Sequence, residues 1–252
     1  MFTPTAFSSQ DIVRNGLVLW LDANDKTSYP GSGTAWNDLT PNKNNGTLVN
    51  GPTFSEDGGG SIDFDGVNDK IIGTASRLFT FGNGSIDTPF SLCAWIYIDS
   101  LTSGGPIIGK YRSYSPFRGE YNMGIFNEKL IMQCIDGTAT IRVRQDSNNT
   151  LSTNRWYNVV GTYNGNSTDE GITLYIDGQV VASTGFGQDS QYIAMQRATD
   201  PSELSIGVVL DEGNLSFQGY FNGKIANTQI YNKELTPSEV LQNYNALKDR
   251  YL

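Results

Sequence analysis

The stretch Arg155–Ser183, RWYNVVGTYNGNSTDEGITLYIDGQVVAS, carries two β-rich runs and then a single Asp177-Gly178 pair. An Asp-Gly pair between arms rich in Ile, Val, Thr and Tyr supplies both positive-φ positions of a type I′ turn, whose twist matches that of paired strands. The spacing therefore predicts a hairpin over ITLYIDGQVVAS, fed by the strand RWYNVVGTYN.

The same grammar repeats along the chain in GLVLWLDA (16–23), GTLVN (46–50), SIDFDG (61–66), FSLCAWIYI (90–98), PIIGKY (106–111), KLIMQCID (129–136) and FNGKIANTQIYN (221–232). Gly, Asn, Asp, Pro or Ser punctuates nearly every gap, and no amphipathic helix intervenes. Many short strands at this spacing predict a sandwich or barrel rather than a βαβ fold. The 28 Gly and 12% aromatic residues in 252 fit one all-β domain. In Thr140–Arg144, alternation sends Ile141 and Val143 to one face and Arg142 and Arg144 to the other, which predicts one wet face. Trp95 and Trp156 lie within apolar strands and read as core. Segment 24–60 has little periodicity and is expected to make a long excursion around Trp36. The one strong helix signal is TPSEVLQNYNALKDRY (236–251): Thr236 and Glu239 form a capping box, and Pro237 suits the first helical position.

Charge and composition exclude several classes of function. A net charge of −9 with no basic run repels phosphate backbones, so nucleic-acid binding is not expected. No apolar run reaches the roughly 18 residues of a membrane span, and the N-terminus lacks a secretory signal pattern, so a soluble chain without membrane association is expected. Cys93 and Cys134 read as buried thiols, with a disulfide open if their strands are neighbours. With no histidine, a Ser-His-Asp or Cys-His arrangement, a His-ligated zinc and histidine acid–base chemistry are all excluded.

Four motifs, "SIDFDGVNDKI", "PFSLCAWIYID", "RWYNVVGTYN…ITLYIDGQVVAS" and "FNGKIANTQIYNKELTPSEVLQNYN", resemble in order and spacing the laminin-G-like, concanavalin A-like jelly-roll superfamily. The resemblance implies a two-sheet antiparallel jelly-roll sandwich over residues 16–252 with one short C-terminal helix, preceded by an N-terminal arm, 1–15. The opening "NGLVLWLDAND…SYPGSGTAWNDLTPNKNNGTLVNGPTF" and the ending "QNYNALKDRY" look like versions found in structural proteins of tailed bacteriophages. This implies a virion surface protein, a capsid decoration or a tail- or fibre-associated component, with protein partners in that assembly. The alternative is a calcium-supported carbohydrate-binding module that takes a cell-surface glycan.

Retaining glycosidases need two carboxyl groups about 5 Å apart. The eight Glu are scattered, none paired at strand spacing, so the chain is expected not to be an enzyme. Asp63 and Asp65 do share one strand face. Around them, Asp65, Asn68 and Asp69 offer two carboxylates and an amide to a calcium ion, with Asp211 and Glu212 as acidic candidates from another loop. The loop is not an EF-hand: counted from Asp63, the Gly and Glu positions hold Asn68 and Thr74. The competing reading is a polar turn whose carboxylates accept backbone N–H groups. A second candidate is "GKYRSYSPFRGEYN", where Tyr111, Tyr114, Phe117 and Tyr121 with Arg112 and Arg118 form an aromatic and cationic patch for a protein partner or a sugar.

Overall fold

The computed structural model describes residues 11–101, 105–112, 118–136, 141–185, 191–196, 204–209 and 219–252. In chain order the strands are β1 (Leu17–Asp22), β2 (Ala35–Trp36), β3 (Gly46–Val49), β4 (Thr53–Ser55), β5 (Ser61–Asp65) and β6 (Lys70–Gly73). They continue as β7 (Phe90–Ile98), β8 (Gly105–Arg112), β9 (Arg118–Phe126), β10 (Lys129–Ile135), β11 (Arg142–Thr150) and β12 (Trp156–Tyr163). The last are β13 (Ile172–Ile176), β14 (Gln179–Val180), β15 (Ser183–Gly185), β16 (Ser205–Ile206) and β17 (Asn222–Tyr231), before helix α1 (Pro237–Leu247).

One sheet runs β14-β13-β12-β7-β17-β5-β4, with β1 on the same edge of β17 as β5; the other runs β15-β11-β10-β9-β8-β16-β6-β3-β2. Among the described residues every strand pairing is antiparallel, so the all-β jelly-roll sandwich expected from the motifs is what forms. Asp177 and Gly178 both have positive φ, 52° and 75°, as the type I′ turn demands. The second arm is shorter than the sequence suggests. Only Gln179 and Val180 pair with β13, after which the chain crosses to the other sheet and Ser183–Gly185 pairs with β11.

Strand β7 shows why its sequence is apolar at every position but Ser91. Phe90, Leu92, Ala94, Ile96 and Ile98 enter the inter-sheet core, while Cys93 and Trp95 point outward under the C-terminal segment. A strand buried on both faces reads as a continuous apolar run. Trp95 is fully buried, its ring 4.2 Å from that of Tyr251 and 5.6 Å from that of Tyr244. The predicted capping box on Thr236 and Glu239 starts α1, and the helix is pinned by polar contacts as well. Asn243 accepts from Val13 N at 2.8 Å and donates to the Tyr231 hydroxyl, and Arg250 pairs with buried Asp22 at 2.8 Å. Residues 11–13, within the expected N-terminal arm, are held by the helix through Asn243 and Gln242.

Cys93 and Cys134 are both free, the first under the helix and the second between the sheets, on strands of different sheets. The face of β11 carrying Arg142 and Arg144 is not wet. Arg144 is 3% exposed, pairs with Asp146 and lies over the Phe126 ring, so partner charge and ring replace water there. Trp36 anchors its excursion as expected, fully buried where β2 meets β3.

Candidate functional site

Because β17 lies beside β5, Asn222 stands opposite Asp65 at one end of the sandwich. With the loop after β3 and the residue after β7 they frame a cleft of about 420 Å³, lined by Asn50, Asp63, Asp65, Asp69, Asp99 and Asn222 among others. Asp65 Oδ1 accepts from Val67 N at 2.8 Å and Asn68 N at 3.3 Å, closing an Asx turn that Gly66, at φ 74°, allows. Asp69 Oδ2 accepts from Asp65 N at 3.0 Å, tying the turn across its base. Asn50 and Asn222 donate to the Asn68 and Asp65 carbonyls. The turn reading is thus the one the geometry shows.

Charge in this cleft is poorly balanced. Lys224 stands 3.6 Å from both Asp57 and Asp99, and Asp63 also feels it. Among the described residues no cation pairs with Asp65 or Asp69. Burial holds the Asp63 carboxyl above its ordinary value, offset by Lys224 and reinforced by Asp99 and Asp57. Burial likewise raises Asp69, with the Asp65 amide opposing and the Asp65 and Asp63 charges adding. The Val67 amide draws Asp65 the other way, below its usual range.

These shifts fix the sign of a pH effect. A carboxyl held high binds a proton in the folded state that the unfolded chain has already released, so its contribution is lost as pH rises through the raised value. For Asp63, Asp69 and Asp87 that window opens just above 3.8, the ordinary Asp value. Asp25 and Asp65, held low, add stability above 3.8 that is lost as pH falls through their depressed values. The thermal midpoint should therefore pass through a maximum on the acid side of neutral. In Asp69→Asn, which keeps an acceptor for the Asp65 amide, the rise on acidification should be smaller; an unchanged pH profile would contradict this assignment.

Calcium takes 6–8 oxygen ligands. Among the described residues no three acidic side chains converge to hold a metal ion, and Asp65 and Asp69 already spend an oxygen each on backbone N–H groups. Asn68 is exposed on the turn; Asp211 and Glu212 lie outside the described residues. The fit of the described residues to calcium is therefore poor.

The aromatic patch is not assembled as expected. Tyr121 is fully buried, its hydroxyl on the Phe79 carbonyl at 3.0 Å and its ring among Phe81 and Phe90, because it shares the inward face of β9 with Met123 and Ile125. Tyr111 is 5% exposed in a small cluster with Ile135 and Val209. Arg112 and Arg118 are paired residues of β8 and β9. Their side chains, and Tyr114 and Phe117 entirely, lie outside the described residues.

Sequence reasoning missed a buried ion pair. The β8–β9 register passes from Lys110–Tyr121 to Tyr111–Gly119, so Glu120 is the extra residue of a bulge and turns toward Lys110. Their charged groups meet at 2.8 Å with side chains 0% and 2% exposed. A lysine inside the apolar run PIIGKY was the available signal.

A jelly-roll sandwich with an acidic rim cleft describes a class, and the comparisons place the chain in a family. The family model described as the concanavalin A-like lectin/glucanases superfamily matches residues 65–241, well over half of the chain, which belongs to that superfamily. A search of curated protein sequences finds no match. Among solved structures, Trypanosoma rangeli sialidase in complex with sialic acid is similar at 20% identity and TM-score 0.60, covering 94% of this chain and 34% of that one. The binding domain of Paraclostridial Mosquitocidal Protein 1 is similar at 17% identity and TM-score 0.61, covering 92% and 52%. The Botulinum Neurotoxin Type G receptor binding domain follows at 16% identity and TM-score 0.58, covering 91% and 51%. The chain thus spans a third to a half of these structures, and the likeness is one of fold. The expectation that the chain is not an enzyme is overturned by the sialidase matches: enzymes contain this fold, so scattered Glu residues do not exclude catalysis. Among the described residues no helix is long and apolar enough to cross a membrane.

Proposed function

We propose that the chain is a glycan-recognising module whose sugar site is the acidic rim cleft. The observation that carries this reading is the cleft itself: about 420 Å³, open at the sandwich rim and lined by carboxylates and amides from separate elements. Such groups accept and donate hydrogen bonds to vicinal hydroxyls, and the volume lies within the range of small-molecule sites. The receptor-binding neighbours and the lectin members named in the family description support the reading at the level of fold.

Electrostatics narrows the ligand class. Four aspartates with Lys224 as their near cation disfavour a carboxylated sugar and favour neutral or amino sugars. A place on a phage particle, implied by the sequence resemblance, suits this role as an adhesive surface protein. The test is a glycan-binding titration of the protein and of an Asp63→Asn/Asp69→Asn variant. Loss of binding by about tenfold or more, at an unchanged or higher thermal midpoint, is expected, since a hydrogen bond to a charged group is worth that much. Equal binding by both proteins would place the sugar elsewhere. A melt with calcium and with chelator, run alongside, reads the calcium expectation, because an ion bound to the folded state raises the midpoint.

A further inference from the structure

The other end of β7 holds a second cleft of opposite character. This nine-residue strand runs roughly 30 Å from Phe90 to Ile98, separating the loop before it from Asp99 and the acidic cleft. The loop encloses about 240 Å³, lined by Arg77, Thr80, Phe81, Asn83, Ile86 and Thr88 with Gly82. Among the described residues no carboxylate lines it.

Its mouth carries donors open to solvent. Arg77 is exposed and has no ion-pair partner among the described residues. Asn83 spends its Oδ1 on the amides of Ser85 and Ile86, at 2.9 and 2.8 Å, which leaves its Nδ2 without an acceptor among the described residues. In a chain of net charge −9, a guanidinium and an amide donor facing a cleft free of carboxylates make a local site for an anionic group. Ile86, 65% exposed, adds an apolar wall.

The floor is polar. Thr80 receives a hydrogen bond from the Lys110 ammonium and donates to Glu120 Oε1 at 3.4 Å, so the ion pair lies beneath it. Glu120 itself is sealed off there, 1% exposed, with the Phe81 amide also bonding its carboxylate. Thr80 is thus the polar group of the floor that lines the cleft, and its hydroxyl oxygen keeps a lone pair for a ligand hydroxyl.

We propose that this cleft binds a carboxylate-bearing monosaccharide of the uronic acid class. Its carboxylate sits on Arg77 and the Asn83 amide, its C–H face on Ile86, and a ring hydroxyl on Thr80. The size suits one sugar ring rather than an oligosaccharide. The site is separate from the acidic cleft and prefers the ligands that cleft repels, so the two assignments stand or fall independently.

The test is an amide-resolved NMR titration of the whole chain with glucuronate, using glucose as the neutral control. Saturable shifts confined to residues 77–88 and their neighbours are expected with glucuronate and not with glucose. Arg77→Ala should weaken binding about tenfold or more, and Arg77→Lys, which keeps charge but loses the fork, by less. The Asp63→Asn/Asp69→Asn variant should bind glucuronate as the unaltered chain does. Absence of saturation with glucuronate, equal response to glucose, indifference to Arg77→Ala, or loss in the acidic-cleft variant would each overturn the proposal.

Discussion

Replacing Trp95 with alanine is expected to destabilise the fold by about 3–5 kcal/mol, read as a lower denaturant midpoint at unchanged slope. The side chain is fully buried yet lies outside the inter-sheet core, against Tyr244 and Tyr251. Its loss leaves a cavity beneath α1 and loosens a C-terminal clasp that also includes Arg250 on Asp22, Asn243 on Val13 and Tyr251 on Asn227. Trp95→Phe should cost clearly less, because the indole N–H is buried without a partner and its removal relieves an unpaired donor. An alanine variant within about 1 kcal/mol of the parent would mean that the helix is an ornament rather than a second wall of the sheet.

Lys110→Met should cost a similar amount, about 3–5 kcal/mol, since it strands the Glu120 carboxylate in the interior. Burial already pushes that carboxyl up, and Lys110 is the chief group pulling it back. The double replacement Lys110→Met/Glu120→Met is expected to recover most of the loss, because an apolar pair avoids the desolvation cost that both charges bear. Two additive losses in urea unfolding would contradict that coupling.

Much of the fold was legible because its signals are local. Asp177-Gly178 announced a turn, and the Thr236–Glu239 box announced a helix start. What failed were statements about which face meets water. Arg144 and Tyr121 look exposed in sequence, and both are buried, one beside Asp146 and Phe126 and one by inward alternation with Met123. The crossing from β14 to β15 was hidden in one β-rich run, QVVAST.

The candidate sites were legible only in part, for the same reason. Asp65, Asn68 and Asp69 form one local turn, so the sequence could find them. Asp99 and Asn222 join them through the pairing of β17 with β5 and β7, a non-local register that no spacing announces. Glu120 meets Lys110 only because of a bulge in β9.

The most direct measurement of the central claim is calorimetric titration with a matched series of neutral, amino and carboxylated oligosaccharides, in an Arg77→Ala background that silences the second cleft. The account predicts saturable binding of a neutral or amino glycan, weak or absent binding of its carboxylated counterpart, and loss of both on adding Asp63→Asn/Asp69→Asn. Tightest binding of the carboxylated glycan, or any binding indifferent to those two substitutions, would contradict it.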